Sequence, residues 1–296
     1  MILSAPTPFT LALDDGEIAG LHWENPQAAR VLFAHANGFC AAAYTPLFNA
    51  LHDRFDIIAL DLRGHGRSRL PTNLSQLTDW SIYAEDIKAV IAKLDRKPDC
   101  LAGHSLGGTS TLIAGQSLDQ RLPIVVIDPV ILPQAVYWAY QTPLREVIRR
   151  QIGMGERARR RTHRWASTEK ALEHFKIRKP YDDWVGEALA GYLQDGLRDT
   201  DTGVELACAP HWEAANFEAQ ALNPLRNLKS IAKTTRVLKA ERESTVWNDA
   251  GLRARGVQIT TLESVGHLMP MTHPDRVADW IRTTADALGI IGSKAD

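Results

Sequence analysis

Cysteine is scarce in this chain. Cys40, Cys100 and Cys208 are the only three among 296 residues, too few and too scattered for a disulfide framework or a zinc site. That scarcity fits a reducing compartment, and the three read as small buried hydrophobes. Charge of one sign is lacking as well. With 34 basic against 35 acidic side chains, no global field recruits nucleic acid or an anionic membrane, and neither is expected as a partner. No apolar run approaches the roughly 20 residues a bilayer demands, and Met1 to Gly16 has no basic stretch leading into an apolar one. A soluble, cytoplasmic protein is expected, without repeats or low-complexity tracts.

What is present is enough apolar material for one large α/β domain carrying an insertion. Phe9 to Leu13 and Ile18 to Trp23 flank a turn-like Asp14-Asp15-Gly16-Glu17, the pattern of a hairpin. Short apolar runs then alternate with helical periodicity. Val31 to Ala34, Ile57 to Leu60, Cys100 to Ala102 and Ile124 to Ile127 are predicted strands, and Asp79 to Leu94 is the best helix between them. This rhythm predicts a mostly parallel central sheet flanked by helices. It stops at about Pro133 and resumes with Arg236 to Lys239 and Gln258 to Leu262, so residues 133–227 are expected to be a helical cap on a core of 1–132 and 228–296.

Within the core, Gly103-His104-Ser105-Leu106-Gly107 follows a predicted strand and opens a predicted helix. Gly-x-Ser-x-Gly alone is a short pattern of common residues. The strand, sharp turn and helix around it are what a nucleophile elbow requires. There the serine is strained, side chains at 103 or 107 would collide with neighbours, and the Leu106 N–H lies at a helix N-terminus, ready for an oxyanion. Val31 to Phe39 adds a strand ending in the small-residue loop His35-Ala36-Asn37-Gly38.

With these segments, Asp61 to Ser68 and Val265-Gly266-His267 before a last helix, the chain resembles the α/β-hydrolase superfamily, with the motifs in the family order. The resemblance spans everything but the insertion. It implies an esterase- or thioesterase-like serine hydrolase, with Ser105 as nucleophile and no metal or cofactor. It also implies an oxyanion hole from the N–H groups of Leu106 and Asn37; because Ala36 replaces a customary glycine, Gly38 and Phe39 stay open as donors. Asp61, Arg63 and His65 are assigned to turn structure, and the Asn37 side chain either caps its loop or meets a ligand.

A hydroxyl nucleophile needs a base near neutrality, which histidine supplies. Of ten histidines, His267 alone follows a late strand through a short glycine-containing loop and comes after Ser105. His104 is assigned to packing. For the acid that orients the base, two strand ends compete. The usual family position, Ala240 to Ser244, offers Glu243 in a charged run without an aspartate. The preceding strand ends in Asp128-Pro129, a position some branches of the superfamily use, including haloalkane dehalogenases and certain lactone and thioester hydrolases. Asp128 is favoured and Glu243 is the alternative.

The insertion gathers Arg145, Arg149, Arg150, Arg157, Arg159, Arg160, Arg161 and Arg164, interrupted by Glu146 and Glu156. They form a solvated helical face, or a clamp for coenzyme A phosphates. Its aromatics build its own core and roof an acyl pocket, where Tyr137, Trp138 and the loop residue Phe39 are expected to bind substrate. Phe175, Tyr181-Asp182-Asp183-Trp184, Tyr192 and Gly196-Leu197-Arg198 resemble caps of fungal acyl-CoA hydrolases of mycophenolic acid biosynthesis. The expected partner is therefore a small ester or thioester. A C–C bond hydrolase, a haloperoxidase-like enzyme and a low-turnover ligand receptor are the alternatives, and oligomeric state is left open.

Overall fold

In the computed structural model, which describes residues 5–145, 147–148 and 153–290, the strands fall where the apolar runs predict them. The hairpin is β1 (Thr7–Leu13) and β2 (Gly16–Trp23), and β3 (Ala29–Ala34), β4 (Phe55–Asp61), β5 (Cys100–His104) and β6 (Ile124–Ile127) follow. After three short strands of the insertion, β7 (Arg164–Trp165), β8 (Leu197–Thr200) and β9 (Gly203–Leu206), come β10 (Thr235–Ala240) and β11 (Gln258–Leu262).

Eight of them form one sheet in the order β1-β2-β4-β3-β5-β6-β10-β11. β2 is antiparallel to both neighbours, and from β4 onward every pairing is parallel. Helices cover both faces, so β4, β5 and β6 are buried along their whole lengths and read as runs rather than alternations. Successive strand residues feed opposite cores. Leu32, Ile58 and Leu60 pack with Tyr83, Ile87 and Val90 of helix Ser81–Lys93. Phe33, Ile57 and Ala59 join the core that holds Phe48 of helix Thr45–Leu51 and Val277 of helix Pro274–Leu288.

Segment 133–227 is mainly helical, with helices Gln134–Tyr140, Gly153–Arg160, Thr168–Lys176, Gly186–Asp195 and Pro210–Glu218. It also carries a small antiparallel sheet in the order β7-β9-β8. Strands of two and four residues are too short to show alternation, which is why the sequence suggests helices alone. Among the described residues, no helix is long and apolar enough to cross a membrane.

Candidate active site

Ser105 sits between β5 and helix Leu106–Gly115 with φ 54° and ψ −119°, a backbone region that L-residues rarely occupy. Its neighbours make the turn possible. A methyl group at 103 would lie 2.7 Å from the Gly107 carbonyl carbon, and one at 107 would overlap the Ala34 carbonyl oxygen. The Ser105 N–H is held by the Ile127 carbonyl at 3.0 Å, tying the elbow to the end of β6.

The next residue in β6's path, Asp128, is fully buried. Its Oδ2 lies 2.7 Å from His267 Nδ1, and His267 Nε2 lies 3.0 Å from Ser105 Oγ. The carboxylate also accepts from the N–H of Ala240, the hydroxyl of Ser244 and the N–H of Thr245. Burial alone would raise its pKa, but the hydrogen bond and charge of His267, with Ser244 and Ala240, hold it below the usual carboxylate value. Glu243 is exposed with φ 55°, and no hydrogen bond joins it to His267. Beside it, Ser244 and Thr245 are the residues of this loop that bond the Asp128 carboxylate.

The loop after β3 is braced by two histidines. His35 Nδ1–H donates to the Ala36 carbonyl and its Nε2 accepts from the Leu62 N–H; His65 Nδ1–H donates to the Arg63 carbonyl and its Nε2 accepts from the Gly38 N–H. Both rings are therefore neutral. Burial pushes their pKa values down to about 4 for His35 and about 3 for His65. The Gly38 N–H is thereby occupied, and the Phe39 N–H is bonded to the Ala36 carbonyl. Among the described residues, the N–H groups of Asn37 and Leu106 donate to nothing within the chain. Of the N–H groups named for an oxyanion, these two are therefore the ones without an internal acceptor. The Asn37 side chain caps the insertion, its Nδ2–H donating to the Glu213 carbonyl at 2.9 Å.

Arg63 and Asp61 serve the turn, as expected. Arg63 forks onto Asp86 and reaches Asp15, and Asp61 accepts from the N–H groups of Ala41 and Arg67. His104 packs in the interior, as expected, and makes two polar contacts besides. It lies buried between Tyr44 and the His267 backbone, accepting from the Tyr44 hydroxyl and donating to the His267 carbonyl. Nothing in the run Ala41-Ala42-Ala43-Tyr44 signals this, although a buried tyrosine hydroxyl must find partners somewhere.

The residues expected to bind the acyl group are dispersed. Tyr137 is buried and its hydroxyl accepts the Leu132 N–H, whereas Trp138 is 67% exposed. Consecutive helical residues point about 100° apart, which is why one is buried and the other exposed. Phe39 packs into an aromatic cluster of the insertion, 5.2 Å from Trp184 and 5.7 Å from Tyr192. Four of these arginines are engaged: Arg159 with Glu218, Arg160 with Glu156, Arg161 with Glu213 and Arg164 with Glu205. A phosphate would have to displace these carboxylates. Glu146, Arg149 and Arg150 lie outside the described residues. Among the described residues no group of three or more histidine, cysteine or acidic side chains could hold a metal ion.

An eight-stranded, mostly parallel sheet with a strained serine between strand and helix defines an α/β-hydrolase. The sequence profile of the alpha/beta hydrolase family matches residues 31–280, and the chain belongs to that family. It is 36% identical over 117 residues to the 2-(acetamidomethylene)succinate hydrolase of Mesorhizobium japonicum, covering 39% of this chain and 41% of that protein. It is 27% identical over 207 residues to a serine hydrolase-like protein of Danio rerio, covering 67% of this chain and 60% of that one. The chain thus spans less than two thirds of either relative. Among solved structures, the fold resembles E-2-(acetamidomethylene)succinate hydrolase, with a TM-score of 0.75 at 18% identity over 95% of this chain and all of that one. It also resembles the thioesterase domain of the curacin biosynthetic pathway, with a TM-score of 0.72 at 18% identity over 94% of this chain and all of that domain.

Proposed function

We propose that the protein is a serine hydrolase that cleaves a carboxylic ester or thioester through an acyl-enzyme on Ser105. His267 Nε2 takes the hydroxyl proton as Oγ attacks the carbonyl carbon, and the N–H groups of Asn37 and Leu106 receive the developing oxyanion. Asp128 holds Nδ1–H toward itself and stabilises the imidazolium. The leaving group departs with the proton from His267, and a water activated by the same ring releases the acid. The observation that carries this reading is the unbroken chain Asp128–His267–Ser105 at 2.7 and 3.0 Å.

In this reading residues 133–227 are a cap on a core of 1–132 and 228–296. Contacts between the insertion and the core support it: Asn37 with Glu213, Trp212 Nε1–H with the Arg63 carbonyl, and Arg67 with Asp195. The three buried, unpaired cysteines fit a cytoplasmic enzyme.

The test is labelling by a fluorophosphonate combined with a hydrolysis panel of p-nitrophenyl esters, lactones, acyl-CoA thioesters and amides; amides belong there because one relative is named for an acetamido substrate. Stoichiometric labelling, lost in Ser105→Ala, with turnover of an ester or thioester is the expected result. Labelling without turnover of any of them would point instead to a low-turnover receptor.

A further inference from the structure

The loop that carries the candidate oxyanion donor and the loop that carries the candidate base are 230 residues apart in sequence, yet one continuous line of hydrogen bonds joins them. The Ala36 N–H donates to the Tyr44 hydroxyl at 3.0 Å, and that hydroxyl lies 2.7 Å from His104 Nδ1. On the far side of the same ring, His104 Nε2 lies 3.0 Å from the His267 carbonyl oxygen. Tyr44 and His104 are both fully buried, and the His104 and His267 rings stand 4.8 Å apart.

The direction of every proton in this line is fixed. A carbonyl oxygen only accepts, so His104 Nε2 must carry the hydrogen. Nδ1 of the neutral ring is then an acceptor, so the Tyr44 hydroxyl donates to it and its lone pair takes the Ala36 N–H. Burial, reinforced by the neighbouring His267, holds His104 far below the ordinary histidine pKa, which keeps the line in this single state. Neither side chain belongs to the Asp128–His267–Ser105 chain of contacts.

We propose that Tyr44 and His104 act together as a positioning relay, a hydrogen-bonded strut that sets the Asn37 oxyanion donor and His267 relative to each other across Ser105. This rests on the reading of Ser105, His267 and Asn37 given above. Neither residue touches substrate. Fixing two catalytic groups from one rigid line matters because a displacement of about 1 Å in such a group costs on the order of a hundredfold in rate.

The experiment compares Tyr44→Phe, His104→Leu, the double variant and His104→Gln with the wild type. It reads kcat and KM on a p-nitrophenyl ester, and the His267 ring resonances by NMR on the unreacted protein. Glutamine carries an acceptor and a donor on one amide at nearly the spacing of the imidazole nitrogens, so it is the conservative rescue. Tyr44→Phe and His104→Leu should each lower kcat by about tenfold to a hundredfold, with KM changed by less than about threefold. The double variant should cost no more than His104→Leu alone, because one break disables the line. His104→Gln should recover most of the activity, and the His267 resonances should move in Tyr44→Phe although that residue does not touch the ring. Folded variants with wild-type kcat and unmoved His267 resonances would overturn the relay, as would strictly additive losses. If the wild type neither labels at Ser105 nor turns over, the hydrolase reading falls, while a His267 shift in Tyr44→Phe still upholds the strut.

Discussion

Exchanging Asp128 for asparagine would keep the shape of a fully buried side chain and change what it offers His267 Nδ1. The expected outcome is a fall in kcat of about ten-thousandfold, as for other tautomer-fixing carboxylates. Glu243→Gln should leave kcat within about twofold, since exposed substitutions seldom propagate. Steady-state kinetics on the two variants checks both. The ordering of these acids shows how far the sequence reaches at this scale. That Ser105 and His267 meet is legible because motif and chain order constrain them. Asp128 and Glu243 each end a plausible strand, and only the turn of the loop after β10 separates them. Tyr137 and Trp138 differ in exposure, which aromatic composition alone does not foretell because it does not say which way a helix faces.

At the scale of elements, the elbow is the least forgiving. Gly107→Ala would drive a methyl into the Ala34 carbonyl, and overpacking of that kind costs about 1–3 kcal/mol or more. A lowered midpoint in urea unfolding, together with loss of fluorophosphonate labelling, is expected. The insertion has its own weak point in Arg161, whose guanidinium meets Glu213 at 2.7 Å and the Tyr181 hydroxyl at 2.8 Å. Glu213→Ala leaves that part-buried cation with Tyr181 alone and should destabilise the protein by about 1–3 kcal/mol, whereas the paired change Arg161→Met with Glu213→Leu should cost less. Thermal unfolding of the three proteins distinguishes these. The long parallel strands were readable to within two residues at most ends, since whole runs of them are buried. The strands of the insertion were not, because two to four residues carry no period.

Across the whole molecule, acid should act through its buried histidines. His35 and His65 have folded pKa values near 4 and 3 against 6.5 unfolded. Below about pH 6.5 the unfolded chain takes up protons that these rings refuse, so stability falls as pH drops and each ring withdraws on the order of 3 kcal/mol by about pH 4. Asp195 opposes them. Burial, chiefly, raises its pKa to about 6, so its protonation favours the folded state as pH falls through that range. The melting temperature should therefore drop between about pH 7 and pH 4.5, and drop more steeply in Asp195→Asn, which lacks the opposing group. A flat profile, or a shallower one in the variant, would contradict these assignments. None of this was visible beforehand: the sequence identifies the histidines and not the protons they carry.

The acid at the end of β6 changes what natural variation can do to the loop after β10. In the proposed reading that loop supplies no charge to His267 and is held by what it donates to Asp128, through the Ala240 and Thr245 N–H groups and the hydroxyls of Ser244 and Thr245. A substitution at 243 has only to accept a positive φ, while one at 244 or 245 removes a hydroxyl bonded to Asp128. In that reading the customary acidic site of the family is expendable so long as the two small alcohols beside it remain.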